Sequence, residues 1–161
     1  MAQVAILMGS ASDREDMNGC IEILRELGVS YRLDVASAHR SPAKVARILA
    51  EAEQEGVGVF ICVAGHAAHL GGVVAAHTTR PVLGVPTASS ALSGWDALLS
   101  TVMMPPGIPV ATMALGSSGG RNAALFAVSI LALGDVALAG RLAAYRSAQT
   151  AKIEKVATER G

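Results

Sequence analysis

The chain has 161 residues, 52% of them hydrophobic and 16% charged, and its thirteen basic and thirteen acidic residues cancel to a net charge of zero. That length suits a single domain over residues 1–161 with one continuous core, and the composition excludes intrinsic disorder. Scattered charges offer no basic stripe to nucleic acid, and the longest apolar run, Ala123 to Leu133, falls short of the roughly 20 residues a membrane span needs.

Aromatics are scarce, so Val, Ile, Leu, Met and many Ala must fill the core. Such small side chains bury little apolar area per residue, which points to association between copies. Cys20 and Cys62 form no C-x-x-C pair and read as small buried hydrophobes of a reducing compartment. With no signal-like segment before the first strand, the expectation is a soluble cytoplasmic protein without membrane contacts.

In chain order, Val4 to Met8 is a continuous apolar run, as expected of a strand buried on both faces. Gly9 to Asp13 breaks it, and Ser12 with Glu15 three residues on predicts a capping box and a helix start. Met17, Cys20, Ile21, Leu24 and Leu27 recur at helical spacing until Gly28. A second strand over Tyr31 to Val35 leads into Ser37-Ala38-His39-Arg40. Ser41 as N-cap and Pro42 in the first turn then start a helix with Val45, Ile48, Leu49 and Ala52 as its buried stripe.

Val57 to Val63 is the third predicted strand, Gly65 to Gly72 a loop, and Val73 to His77 a short helical stretch. Pro81 to Val85 is the fourth strand, followed by a small-residue loop to Gly94 and a helix over Trp95 to Val102. Met104-Pro105-Pro106-Gly107 is a rigid turn before a fifth strand, Pro109 to Leu115. Gly116 to Gly120 reads as flexible punctuation before an apolar helix, Asn122 to Leu133. A last helix from about Asp135 carries Leu138, Leu142, Tyr145 and Ile153 beyond the end of a compact sandwich.

Strands alternating with helices at this spacing predict an α/β fold built on a parallel sheet. Five strands suit a flavodoxin-like three-layer α/β/α sandwich of order 2-1-3-4-5 with an extended C-terminal helix. In that order the loops Gly9–Asp13, Ser37–Arg40 and Gly65–Leu70 gather around one crevice at the carboxyl edge, where open α/β sheets bind ligands.

The second of these loops sets a proton-transfer group, His39, beside a fixed positive charge, Arg40, able to clamp a phosphate or carboxylate. The first offers Ser10, Ser12, Asp13 and N–H groups at a helix start, a natural place for phosphate. It is neither a dinucleotide fingerprint nor a P-loop. In the third loop, His66 and His69 invite a metal reading, but no Cys, Asp or Glu lies near to complete a ligand set. His77 reads as a helix-end residue. Gly116 to Gly120 matches G-x-S-x-G, yet no His follows His77 to serve a hydrolase triad, so a tight turn or an anion-binding backbone is the better reading.

Met8-Gly9-Ser10-Ala11-Ser12-Asp13, Ser37-Ala38-His39-Arg40 and Ala64-Gly65-His66-Ala67-Ala68-His69-Leu70 are followed in order by three more motifs. These are Pro81-Val82-Leu83-Gly84-Val85-Pro86, Ala91-Leu92-Ser93-Gly94 and Met104-Pro105-Pro106-Gly107-Ile108-Pro109-Val110. Together, and over essentially the whole chain, they resemble the 5-(carboxyamino)imidazole ribonucleotide mutases of purine synthesis, the class I PurE family. The resemblance implies a cofactor-free, metal-free isomerase that moves a carboxylate from an exocyclic nitrogen to ring carbon C4. It implies a homo-octamer with sites at subunit contacts and a small nucleotide substrate. Carried over by motif, His39 is the acid/base with His69 close by. Ser10, Ser12, Asp13, Ser37 and Arg40 bind the ribonucleotide, with Arg40 and Ser37 towards phosphate and Asp13 towards ribose. Gly65, Ala67, Ala68 and Leu70 wall the base.

Two departures stand out: His66 where the family usually has Gly, and Leu70-Gly71-Gly72 in place of Leu-Pro-Gly. Arg40 and the Ala67-Ala68-His69-Leu70 run favour the mutase over the class II carboxylases, which tend to have Ser-Ala-His-Lys. Three rival readings stay open: direct carboxylation by carbon dioxide, a non-enzymatic flavodoxin-like nucleotide-binding module, and a relative that reuses the scaffold on another substrate.

Overall fold

A computed structural model describes residues 2–157; residues 1 and 158–161 of the expected domain lie outside the described part. Five parallel strands, β1 (Val4–Met8), β2 (Tyr31–Val35), β3 (Val59–Ala64), β4 (Val82–Pro86) and β5 (Ala111–Thr112), form one sheet. Their order is β2-β1-β3-β4-β5, as the strand spacing predicts. Six helices cover it: α1 (Asn18–Glu26), α2 (Pro42–Gln54), α3 (Leu70–His77), α4 (Trp95–Val102), α5 (Gly116–Leu131) and α6 (Val136–Ala157).

The strands sort their side chains by parity, because successive residues of a strand point to opposite faces. Val4, Ile6 and Met8 join Val59, Ile61 and Val63 in one core with α1, α5 and the start of α6. Ala5 and Leu7 join Phe60 and Cys62 in the other, against α2 and α3. Both faces are therefore apolar, which explains the unbroken hydrophobic runs. Burying each large aliphatic side chain contributes roughly 1.5–3 kcal/mol. Burial also pushes the Cys20 thiol up to about 12 and raises that of Cys62, so both stay neutral and act as packing groups.

Register does the work of assembling the site. Val4 pairs with both Tyr31 and Val59, so Met8, Val35 and Val63 finish level. The chain leaves β1, β2 and β3 at one height, and their loops meet. On the edge strand, Arg32 is held by Asp34 (2.8 Å), Glu55 (2.9 Å) and Glu51 (3.0 Å), which ties β2 to the far end of α2.

Several local expectations are revised. The capping box lies at Ser10 and Asp13, not Ser12 and Glu15; it opens a four-residue 3-10 turn, Ala11–Arg14, and α1 starts only at Asn18. Strand β3 starts two residues later than predicted, and β5 keeps two residues of the seven predicted. Pro109, at its start, has no N–H for a ladder. Helix α3 begins at Leu70, so Gly71 and Gly72 lie inside it, with Gly71 packed over Cys62 and Val110.

Gly116 to Gly120 is helix rather than a turn. A Cβ on Gly119 would run into the carbonyl of Ala114, and one on Gly120 would lie 2.6 Å from the Asp16 carbonyl oxygen. These glycines are packing residues, which a reading of glycine as a breaker misses. Helix α6 starts where Asp135 Oδ1 accepts the Leu138 N–H at 2.9 Å. Arg141 donates to the Leu27 carbonyl at 2.9 Å, at the end of α1. Beyond Tyr145 the helix leaves the core, and Ile153 and Val156 are exposed.

Candidate active site

A cavity of about 580 Å³ opens at the carboxyl ends of the strands. Its base is formed by Gly9, Ala64 and Gly65, small residues that keep the space open. A Cβ on Gly65 would collide with the Ser89 hydroxyl and lie 2.7 Å from Thr87 Oγ1, so both side chains would have to move.

From the β1 side come Ser10, Ser12 and Asp13. Asp13 Oδ2 accepts the Ser10 N–H at 2.9 Å, and Ser10 Oγ accepts the Ser12 N–H at 3.3 Å. The N–H groups expected to be free for a phosphate at this turn are thus partly used inside it. Asp13 is only 4% exposed, and Thr87 Oγ1 lies 3.4 Å from its Oδ1. Desolvation raises the pKa of this carboxyl, against the lowering effect of its hydrogen bonds from Ser10 and Thr87.

From the β2 side come Ser37, Ala38, His39 and Arg40. The loop is tied by Ser41, whose hydroxyl accepts the Ser37 N–H at 2.9 Å and donates to the Ser37 carbonyl at 3.1 Å. Ser37 Oγ in turn accepts the Arg40 N–H at 3.2 Å. Ser41 is the N-cap residue of α2 as predicted, but its side chain closes the loop instead of bonding the helix. The guanidinium of Arg40 reaches across to the Gly9 carbonyl at 3.4 Å.

From the β3 side come His66, Ala67, His69 and Leu70. Ala68, expected beside them, is buried beneath the loop and does not line the cavity. His39 Nε2 and His69 Nδ1 are 2.8 Å apart, with ring planes at 76°. One nitrogen must carry the hydrogen and the other accept it, so the two rings hold a proton between them. His66 instead faces Ser89, Nδ1 to Oγ 3.4 Å. The two histidines of this loop therefore diverge, and no group of three His, Cys, Asp or Glu among the described residues could hold a metal.

Motif reading missed Ser89, which lines the cavity, and Thr87, which hydrogen-bonds Asp13. They follow β4, the next strand beyond β3, so the predicted strand order was the available signal. His77 bonds the Val73 carbonyl at 2.8 Å at the end of α3, well away from the cavity wall.

A parallel sheet with an imidazole pair, a guanidinium and a buried carboxylate around an open cavity at its carboxyl edge places the chain among α/β proteins with a polar ligand crevice at the ends of the strands. More particularly, the chain belongs to the AIR carboxylase family, whose model matches residues 3–152. It is 51% identical over 150 residues to the N5-carboxyaminoimidazole ribonucleotide mutase of Brucella melitensis, covering 93% of each chain. With the mutase of Escherichia coli K12 it shares 49% over 160 residues, covering 99% of this chain and 95% of that one. The crystal structure of Treponema denticola PurE superposes with a TM-score of 0.88 at 29% identity, covering 98% of both.

Proposed function

We propose that this chain is an N5-carboxyaminoimidazole ribonucleotide mutase, an isomerase of purine synthesis. The observation that carries this reading is the His39–His69 pair at 2.8 Å, in the same cavity as Arg40 and Asp13. The identity of about half, over nearly the full length of relatives bearing that name, supports it.

The substrate is 5-carboxyamino-1-(5-phosphoribosyl)imidazole and the product its 4-carboxylate isomer. Arg40 and Ser37 face the phosphate, Asp13 the ribose, with Ser10 and Ser12 beside them. Gly65, Ala67 and Leu70 wall the base, and Ala68 supports that wall from beneath. His39, protonated, gives its proton to the exocyclic nitrogen, and the N–C bond breaks to release carbon dioxide. The freed aminoimidazole attacks carbon dioxide through C4. His39, now neutral, takes the C4 proton, so one proton leaves and one returns. General acid–base catalysis of this kind contributes roughly 10²–10⁴ in rate. Small walls hold the gas and exclude water. No cofactor takes part in this scheme.

No helix of the described residues is long and apolar enough to cross a membrane. The setting proposed for the reaction is the cytoplasm. The working form is a homo-octamer with sites at subunit contacts. Trp95, Leu99 and Met103 are more than half exposed, as are Leu133 and Val136, an apolar surface that a second copy can cover. His39, Arg40 and His69 are themselves exposed, leaving the mouth of the cavity for a neighbour to complete.

The test supplies the N-carboxylated nucleotide or, separately, the aminoimidazole ribonucleotide with bicarbonate. Rapid formation of the 4-carboxylate from the first alone supports the mutase. Turnover only with the second identifies a carboxylase, and binding without turnover leaves a nucleotide-binding module.

A further inference from the structure

We propose that His66 contacts the ligand, with its Nε2 donating a hydrogen bond to the carboxylate carried by the nucleotide base; this rests on the nucleotide reading above. His66 holds φ at +55°, a left-handed conformation that side chains with a Cβ rarely adopt. Strained backbone of this kind gathers at binding sites, where its surroundings hold it.

The ring lines the cavity, and its Nδ1 is occupied by Ser89 Oγ at 3.4 Å. The Thr87 hydroxyl, within 3.4 Å of Asp13 Oδ1, gives its hydrogen to the carboxylate, the strongest acceptor in reach. That leaves the Ser89 hydroxyl, 3.5 Å from Thr87, free to donate to His66 Nδ1 at 3.4 Å. Where Nδ1 accepts from Ser89, the hydrogen of the ring sits on Nε2, which has no hydrogen-bond partner among the described residues.

Charge placement identifies what Nε2 meets. Arg40 follows β2, whereas His66 follows β3 and turns to Ser89, which follows β4; the sheet order sets them on opposite sides of the cavity. Two carboxylates lie within electrostatic reach of His66, and both are already engaged: Asp13, which lines the cavity, by Ser10 and Thr87, and Asp96 by the Ser90 hydroxyl at 2.8 Å. A nucleotide with its phosphate at Arg40 turns its second anionic group, the base carboxylate, towards the His66 side.

His66→Gly is a mild probe because Gly adopts a positive φ without strain. Calorimetric titration with the 4-carboxylated nucleotide and with the aminoimidazole ribonucleotide that lacks the carboxylate separates the contributions. We expect His66→Gly to weaken binding of the first about tenfold, as for loss of a hydrogen bond to a charged group, and to leave the second unchanged. His66→Gln, which restores a donor, should recover part of the loss. Equal weakening of both ligands, or no change in either, overturns the assignment while leaving the mutase reading intact. Failure of the unmodified protein to bind either nucleotide overturns both.

Discussion

His39 and His69 are thirty residues apart in sequence, yet Nε2 of the first and Nδ1 of the second meet at 2.8 Å. The contact spans the crevice between the loops after β2 and β3. It gives the proton donor of the proposed reaction a defined orientation, and gives the proton a second place to reside.

The two rings should not contribute equally. His39→Asn is expected to keep the fold and nucleotide binding while losing about 10²–10⁴ in kcat, the usual worth of a general acid–base. His69→Asn, whose amide can still hydrogen-bond His39, should retain more activity than His39→Asn. Steady-state kinetics on both variants gives the order; its reversal would move the acid–base role to His69.

Ser41 touches no wall of the main cavity, yet it closes the Ser37–Arg40 loop through two bonds to Ser37. Ser41→Ala leaves the Ser37 N–H without that partner and should cost about 1 kcal/mol in denaturant unfolding. The loosened loop should also raise KM more than it lowers kcat, because the Arg40 N–H hangs on the same serine. A KM unchanged from the unmodified protein would show the tie to be merely structural.

Burial raises the Asp13 carboxyl above its ordinary value, so its charged form is disfavoured in the folded state. For a raised group, the stabilising contribution is fully present below the unfolded value of 3.8 and is lost as pH rises through the folded value. Asp13→Asn removes that charge but can keep the Ser10 and Thr87 hydrogen bonds. Its melting temperature should therefore exceed that of the unmodified protein at pH 7, with the gap closing as pH falls towards 4, while ribonucleotide affinity drops. Thermal unfolding across this range measures it, and a gap that widens on acidification would contradict the assignment.

Glycine substitutions in two helices should have opposite signs. Gly119→Ala drives a methyl group into the Ala114 carbonyl and should destabilise the protein by more than about 2 kcal/mol. Gly140, in α6, has nothing within 4 Å of the added carbon, so Gly140→Ala should stabilise by up to about 1 kcal/mol through helix propensity. Chemical denaturation of the pair checks both.

The sequence by itself determined the alternation of strands and helices, the sheet order, and the three loops that carry Asp13, His39, Arg40 and His69. These features are written in short-range signals: apolar runs, helical spacing, and a Ser-Pro helix start. Only the tertiary structure decided that Ser10 rather than Ser12 opens the capping box. It also decided that Gly116 to Gly120 is helix, that Ala68 lies below the cavity, that Ser89 belongs to its wall and that Thr87 backs Asp13 from behind. Each of these depends on what lies across a gap between elements: a carbonyl too close for a Cβ, a carboxylate in reach of a backbone N–H, a hydroxyl after the neighbouring strand. Such distances are set by register and packing, and residues far apart along the chain fix them jointly, so no local pattern carries them.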